Sequence, residues 1–250
     1  MPKISLNAND NLQNFKLPGS YGFSGTRPTD LGATEYTLVT LVVDDSQSVE
    51  GFRQGMVDCV KEVVKACSYS PRADNLMIRV VVFSSTLKEF HGFKLLSNCN
   101  LDDYNSLLGM GGMTALFDAT INSVDATSAY GKTLTDSDYS ANGIVIVITD
   151  GCDCVSSNQI SQVTDSLKKA STNETLESLM SILVGVNVTD ASVSVALNNL
   201  NTQGGFTQYV ELKDATSKTL AKLAKFVSKS ISSQSTALGT GGPSKSLSFT

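Results

Sequence analysis

The sequence predicts a layered α/β fold: a doubly wound, mostly parallel central sheet of about six strands, one of them a short antiparallel edge strand, flanked by helices on both faces. Two observations carry that expectation. Near-continuous apolar runs, Leu38-Val39-Thr40-Leu41-Val42-Val43, Met77 to Phe83, Gly143 to Ile148 and Leu179 to Val186, read as strands buried on both faces. Between them lie stretches of 10 to 20 residues with apolar side chains at helical spacing, the length that right-handed crossovers between parallel strands require.

Taken in order, residues 1–36 are polar and turn-rich, with Pro18-Gly19, Gly22, Gly25 and Pro28, and show no periodic segment; they read as an N-terminal extension. After the first strand, Val49, Phe52, Met56, Val60, Val63, Val64 and Cys67 mark a helix over 49–68. The strand 77–83 follows, then a short edge strand over 89–96 that places His91 at the surface. A helix over 115–129 leads to the strand 143–149, and Ile160, Val163 and Leu167 mark a helix over 158–171. A strand from 179, a helix over 190–200, a strand over 206–212 and a helix over 215–232 close the domain, the last with Leu220, Leu223, Ala224, Val227 and Ile231 on one face. The domain is therefore expected over 37–233, followed by a flexible tail over 234–250. A phosphate-loop reading of Gly239 to Lys245 fails, because no strand precedes it and Lys245 does not follow a glycine.

The chain has 250 residues, 41% of them hydrophobic and 17% charged, enough for one well-buried α/β core. Its net charge of −5 argues against nonspecific binding to nucleic acid or to an anionic membrane. No apolar run approaches a membrane span, and the first ten residues lack the apolar core of a secretion signal. The five cysteines, Cys59, Cys67, Cys99, Cys152 and Cys154, are odd in number, which favours reduced thiols and a cytoplasmic location.

Chemistry concentrates at three loops. The first strand ends in Asp44, with Ser46 and Ser48 following at alternate positions. The run from Gly143 ends in Thr149-Asp150-Gly151, and the glycine-rich loop Gly109-Met110-Gly111-Gly112-Met113 delivers Thr114 before a helix opens. Ligands of open parallel sheets bind beyond the carboxyl ends of the strands, where the strand order reverses. Carboxylate and hydroxyl oxygens gathered there suit a hard divalent cation, provided that the strands of Asp44 and Asp150 are neighbours. The local alternative is that Ser46, Ser48 or Thr114 only caps the helix after it.

Asp-x-Ser-x-Ser, then Gly-Gly-Met-Thr-Ala-Leu-Phe-Asp-Ala, then Ile-Thr-Asp-Gly, in that order, resembles a von Willebrand factor A domain with its metal-ion-dependent adhesion site, over roughly 37–233. The wording Gly-Met-Thr-Ala-Leu-x-Asp-Ala is similar to soluble A-domain proteins of bacteria and their phages. The resemblance implies that Ser46 and Ser48 bind the metal through their hydroxyls and that Thr114 binds directly or through water. Asp44 and Asp150 would accept hydrogen bonds from metal-bound water and from the serines. Mg²⁺ suits that shell best and Mn²⁺ would fit it. The implied partner is a protein presenting Asp or Glu, with no nucleic acid or membrane involved. The implied location is the cytoplasm, or a virion if the chain is phage-encoded.

Three departures stand out. Asp45 adds a carboxylate that either sits on the rim of the site or points to solvent; Cys152-Asp153-Cys154 follows Asp150-Gly151 and puts Asp153 at the same rim; and the polar extension has no counterpart. Asp118 reads as a structural hydrogen-bonding residue, and Lys168, Lys169, Lys218, Lys222, Lys225 and Lys229 as solvated helix faces. With His91 the only histidine, no catalytic residue is identified, and the chain is expected not to be an enzyme. The alternatives are a structural component of a phage particle or other large complex, an adaptor of an AAA+ ATPase, and, less favoured, a metal-assisted hydrolase.

Overall fold

The computed structural model describes residues 12–17, 22–109, 111–173, 175–243 and 245–249. Among the described residues eight strands form one sheet, where about six were expected: β1 (Leu12–Lys16), β2 (Gly22–Thr26), β3 (Glu35–Asp44), β4 (Leu76–Phe83), β5 (Leu87–Leu95), β6 (Ser140–Thr149), β7 (Leu179–Gly185) and β8 (Gln208–Glu211). Five α-helices among the same residues flank it: α1 (Arg53–Ser68), α2 (Leu116–Thr135), α3 (Ile160–Thr172), α4 (Ala191–Gly204) and α5 (Ser217–Thr240). The spatial order is β1-β2-β5-β4-β3-β6-β7-β8. β3 pairs in parallel with both β4 and β6, β6 with β7 and β7 with β8, while β4–β5 and β1–β2 are antiparallel.

The apolar runs are central strands because both of their faces are covered. Val39, Leu41 and Val43 pack with α1 and α5, whereas Val42 packs with α2, α3 and α4 on the other side. Each fully buried Val or Leu of this kind contributes about 1.5–3 kcal/mol of hydrophobic stabilisation. From β3 the chain first builds outward through β4 and β5, then returns to β6 on the other side of β3. The order reverses between β3 and β6, so Asp44 and Asp150 leave the sheet from adjacent carboxyl ends, as the motif requires.

Three expectations change. Residues 1–36 show no periodic segment and read as a polar extension, yet β1 and β2 form a hairpin that extends the sheet; the Pro18-Gly19 turn itself lies outside the described residues. Only Gly25 pairs with β5, opposite Phe93, so side chains hold the hairpin: Phe23 meets Phe93 edge-on at 6.1 Å, and the Tyr130 hydroxyl donates to the Thr26 carbonyl at 2.6 Å. Ser24 donates to Glu89, which also pairs with the buried Arg79 at 2.7 Å. These contacts join residues far apart in the chain, and a period-2 pattern in five polar residues is too weak to announce them.

His91, in turn, is buried rather than on the surface, because β2 lies beyond β5 and Tyr104 covers it. Its Nδ1 lies 3.0 Å from the Gly92 carbonyl, which can only accept, so that nitrogen carries the proton and Nε2 accepts from the Tyr104 hydroxyl at 2.8 Å. Burial, reinforced by Lys94, pushes its pKa down to about 3. The third change is that α5 runs to Thr240, past the boundary expected at 233, since Gln234, Ser235, Ala237 and Leu238 are buried too. Residues beyond it also pack: Phe249 meets Phe226 edge-on at 5.6 Å.

Candidate metal centre

The expected helix over 49–68 opens with a 3-10 stretch, Gln47–Phe52, and becomes α-helical only at Arg53. Ser46 precedes that stretch without making a side-chain capping bond, and Thr114 likewise makes none at the start of α2, whose N-cap is Ala115. Neither the Ser46 nor the Thr114 hydroxyl is spent on a helix terminus.

Four of the five motif residues, Asp44, Ser46, Ser48 and Asp150, form one connected chain. Asp44, fully buried at the end of β3, accepts from the Ser46 amide at 2.8 Å and from the Thr149 hydroxyl at 2.5 Å. The Ser46 and Ser48 hydroxyls are 3.0 Å apart, and Ser48 donates to Asp150 at 2.7 Å. Thr114 is buried beside the same loops: its carbonyl accepts from Cys154 at 2.8 Å, and its hydroxyl oxygen lies 4.0 Å from where a side chain on Gly151 would begin. Sequence reasoning missed Thr149; it stands inside the Ile-Thr-Asp-Gly motif, one residue past the Val43–Ile148 pair that ends the parallel register of β3 and β6.

The glycine-rich loop is held from two sides. The Gln47 amide donates to the Gly112 carbonyl at 2.9 Å, and the Met113 amide donates to the Ser85 hydroxyl at 2.9 Å. Gly112 has φ of +116°, and a Cβ there would lie 2.8 Å from the Ser85 hydroxyl, so the position admits only glycine without a shift. Ser84 and Ser85 follow β4 with no recognisable spacing, and nothing local marked them.

The two expected rim residues are placed differently. Asp45 is fully buried, with both carboxylate oxygens accepting from the Gly109 amide at 3.0 and 2.8 Å and the Arg53 guanidinium 3.3 Å away. Asp153 turns to the start of α2, accepting from the Phe117 amide at 3.1 Å and from the Ser156 hydroxyl at 2.5 Å. Asp118 fastens the same loop from the other side, accepting from the Ser157 and Asn158 amides at 3.0 Å each. Cys152 and Cys154 remain near the surface as free thiols.

Electrostatics at the centre are one-sided. Among the described residues neither Asp44 nor Asp150 has a Lys or Arg partner. Burial pushes Asp44 up to about 6, against the lowering effect of the Thr149 and Ser46 hydrogen bonds; burial also raises Asp150. Two desolvated carboxylates behind two serine hydroxyls create a negative pocket that a cation relieves. No group of three or more His, Cys, Asp or Glu side chains suited to a metal occurs among the described residues, so any ion here depends on hydroxyl oxygens. The donor set fits: six oxygens at about 2.1 Å from Mg²⁺ place neighbours about 3 Å apart, and the two serine hydroxyls stand 3.0 Å apart.

A family model for the von Willebrand factor type A domain matches residues 39–225. No curated protein matches the chain. Among solved structures, it is similar to the PilB minor pilin from Streptococcus sanguinis (15% identity, TM-score 0.58, covering 85% of this chain and 64% of that one). It is also similar to the pilus adhesin SpaC from Lactobacillus rhamnosus GG (11% identity, TM-score 0.59, 91% and 35%). A third is proximal thread matrix protein 1 from the mussel byssus, in a form with a zinc-occupied MIDAS motif (17% identity, TM-score 0.55, 78% and 46%). The chain thus spans between about a third and two thirds of the length of these proteins, and the likeness is one of fold.

Proposed function

The chain belongs to the von Willebrand factor type A family, and on that premise we propose that it is a divalent-cation-dependent protein-binding module, without enzymatic activity, that captures an acidic side chain of a partner. The observation that carries this reading is the continuous hydrogen-bonded path from Thr149 through Asp44, Ser46 and Ser48 to Asp150. Ser46 and Ser48 would hold the ion through their hydroxyls, and Thr114 would hold it directly or through water. Asp44 and Asp150 would stay behind them and orient the serines. A cation held mainly by neutral hydroxyls and water would supply largely uncompensated charge, to which a carboxylate from outside would be drawn. Mg²⁺ is the preferred ion and Mn²⁺ is compatible; the zinc in the byssus protein's motif belongs to that protein.

Asp45 takes part indirectly: it fixes Gly109 and so the loop that carries Thr114. A cytoplasmic location is supported by the cysteines, none of which forms a disulfide among the described residues. No helix among the described residues is long and apolar enough to cross a membrane. Calorimetry with Mg²⁺ and with a partner-derived Asp- or Glu-bearing peptide tests the reading. Wild type should bind both, EDTA should abolish capture of the peptide, and Asp44→Ala and Thr114→Ala should each reduce metal affinity at least tenfold. Capture that is unchanged in EDTA and in both variants removes the mechanism.

A further inference from the structure

Charge is distributed unevenly along this chain. All 24 acidic side chains lie at or before Asp214; the 36 residues after it carry five lysines and no acid, against a formal −10 for the first 214. Lys218, Lys222, Lys225 and Lys229 are exposed on α5 at spacings of four, three and four residues, which keeps them on one helical face. They extend over about 16 Å of helix. None of their ammonium groups has a hydrogen bond or ion pair among the described residues. The opposite face of α5, with Leu220, Leu223, Val227 and Ile231, is buried in the core.

The stripe ends in a cleft of about 480 Å³. It forms because the chain turns at Gly241, whose φ of +64° allows the reversal, and comes back along the helix. Lys229, Ser232, Ser233 and Ala237 make one wall, and Lys245 and Leu247 the other. The returning segment is fixed by Phe249 against Phe226 and by the Gln208 side-chain amide, which donates to the Leu247 carbonyl at 2.8 Å. Lys229 and Lys245, neither with an ion pair among the described residues, therefore line a cleft with apolar walls. α5 starts beyond the carboxyl end of β8 and runs back along the sheet, so the cleft lies away from the Asp44–Asp150 centre.

We propose that the lysine face of α5 and the cleft at its end form a docking surface for an acidic segment of a protein partner, with carboxylates on the lysines and one apolar side chain in the cleft. The observations favour a protein over a polynucleotide. The stripe holds no arginine for bidentate phosphate contacts and no exposed aromatic for stacking on bases. The −10 carried by the rest of the chain repels a polyanion longer than the stripe. A membrane fits less well, because the apolar face of α5 is already used in the core and none remains to insert into lipid.

The test uses the full chain in EDTA, so that nothing depends on the cation site. Its probe is a synthetic twelve-residue peptide of glutamates with one central leucine. The controls are an oligonucleotide of equal charge and phosphatidylserine vesicles. The peptide should bind, and K218Q/K222Q/K225Q/K229Q should lose at least tenfold in affinity with an unchanged melting temperature, while K168Q/K169Q on α3 binds as wild type does. A glutamate-only peptide should bind more weakly, and the leucine peptide should shift the amide resonances of Ser232, Ser233 and Leu247. Failure of the peptide to bind in EDTA, equal losses in both sets of variants, or tighter binding of the oligonucleotide or the vesicles would each overturn the proposal.

Discussion

The Thr149 hydroxyl lies 2.5 Å from a carboxylate oxygen of Asp44, across two adjacent parallel strands that are 105 residues apart in sequence. This contact ties the ends of β3 and β6 at the point where the sheet reverses its order, and it holds a buried carboxylate in a fixed orientation. Thr149→Val keeps the shape and removes the donor. It should cost about 1–3 kcal/mol, the penalty for leaving a buried charged group short of a hydrogen bond, as read from the urea midpoint at pH 7. The Asp44 pKa should rise further above about 6, which carboxyl NMR titration measures directly.

Divalent cation should stabilise the fold through the same centre. At a hundred times its dissociation constant, a ligand specific for the native state adds about 2.7 kcal/mol. A Mg²⁺-dependent rise in melting temperature is expected, reversed by EDTA and largely lost in Ser48→Ala, which removes one donor oxygen and the bond to Asp150. Because Asp44 takes up a proton near 6 when no ion is bound, metal affinity should fall as the pH drops from 7 to 5. Calorimetry at the two pH values checks both the order and the direction.

His91 sets a distinct acid sensitivity. Its folded pKa is depressed to about 3 from 6.5, so the unfolded chain binds the extra proton first. The stability tied to neutral His91 is complete above 6.5 and is lost as the pH falls toward 3, at about 1.4 kcal/mol per unit. Asp44 acts in the opposite sense between 3.8 and about 6, since its raised pKa favours the protonated folded form. Comparing wild type with His91→Gln cancels that contribution. Relative to the variant, wild type should lose about 2 kcal/mol between pH 6.5 and pH 5 in urea unfolding; parallel profiles would refute a neutral buried imidazole.

The hairpin and the metal centre should separate experimentally. A Cβ on Gly92 would lie 2.0 Å from the Ser24 carbonyl oxygen, backbone against backbone. Gly92→Ala should therefore loosen β1–β2 and expose residues 12–26 to proteolysis while leaving Mg²⁺ affinity within about twofold. Gly112→Ala should do the reverse. Its φ of +116° and the nearby Ser85 strain any larger residue by about 1–3 kcal/mol, and displacement of the loop that carries Thr114 should weaken the metal at least tenfold.

Much of this molecule was legible in the order of its residues. Runs such as Val39 to Val43 and Ile144 to Ile148 can only be strands covered on both sides, because so many apolar groups in succession must all leave water. Asp44, Ser46, Ser48, Thr114 and Asp150 stood out because each ends a strand or opens a helix, where a fold of this class leaves side chains free to act. What the chain did not disclose depends on groups remote in sequence. Ser24 meets Glu89, Tyr130 stacks on Phe93, and Tyr104 covers His91; none of these pairings leaves a local pattern, so the hairpin read as coil and the histidine as surface. The direction of a carboxylate is settled in the same way. Asp45 and Asp153 neighbour the motif in sequence, and the amides of Gly109 and Phe117 fix where their carboxylates sit. Local hydrophobicity and turn chemistry determined the strands and the loops that hold the oxygens; which oxygens face one another was decided only when the folded sheet brought their distant partners within hydrogen-bonding reach.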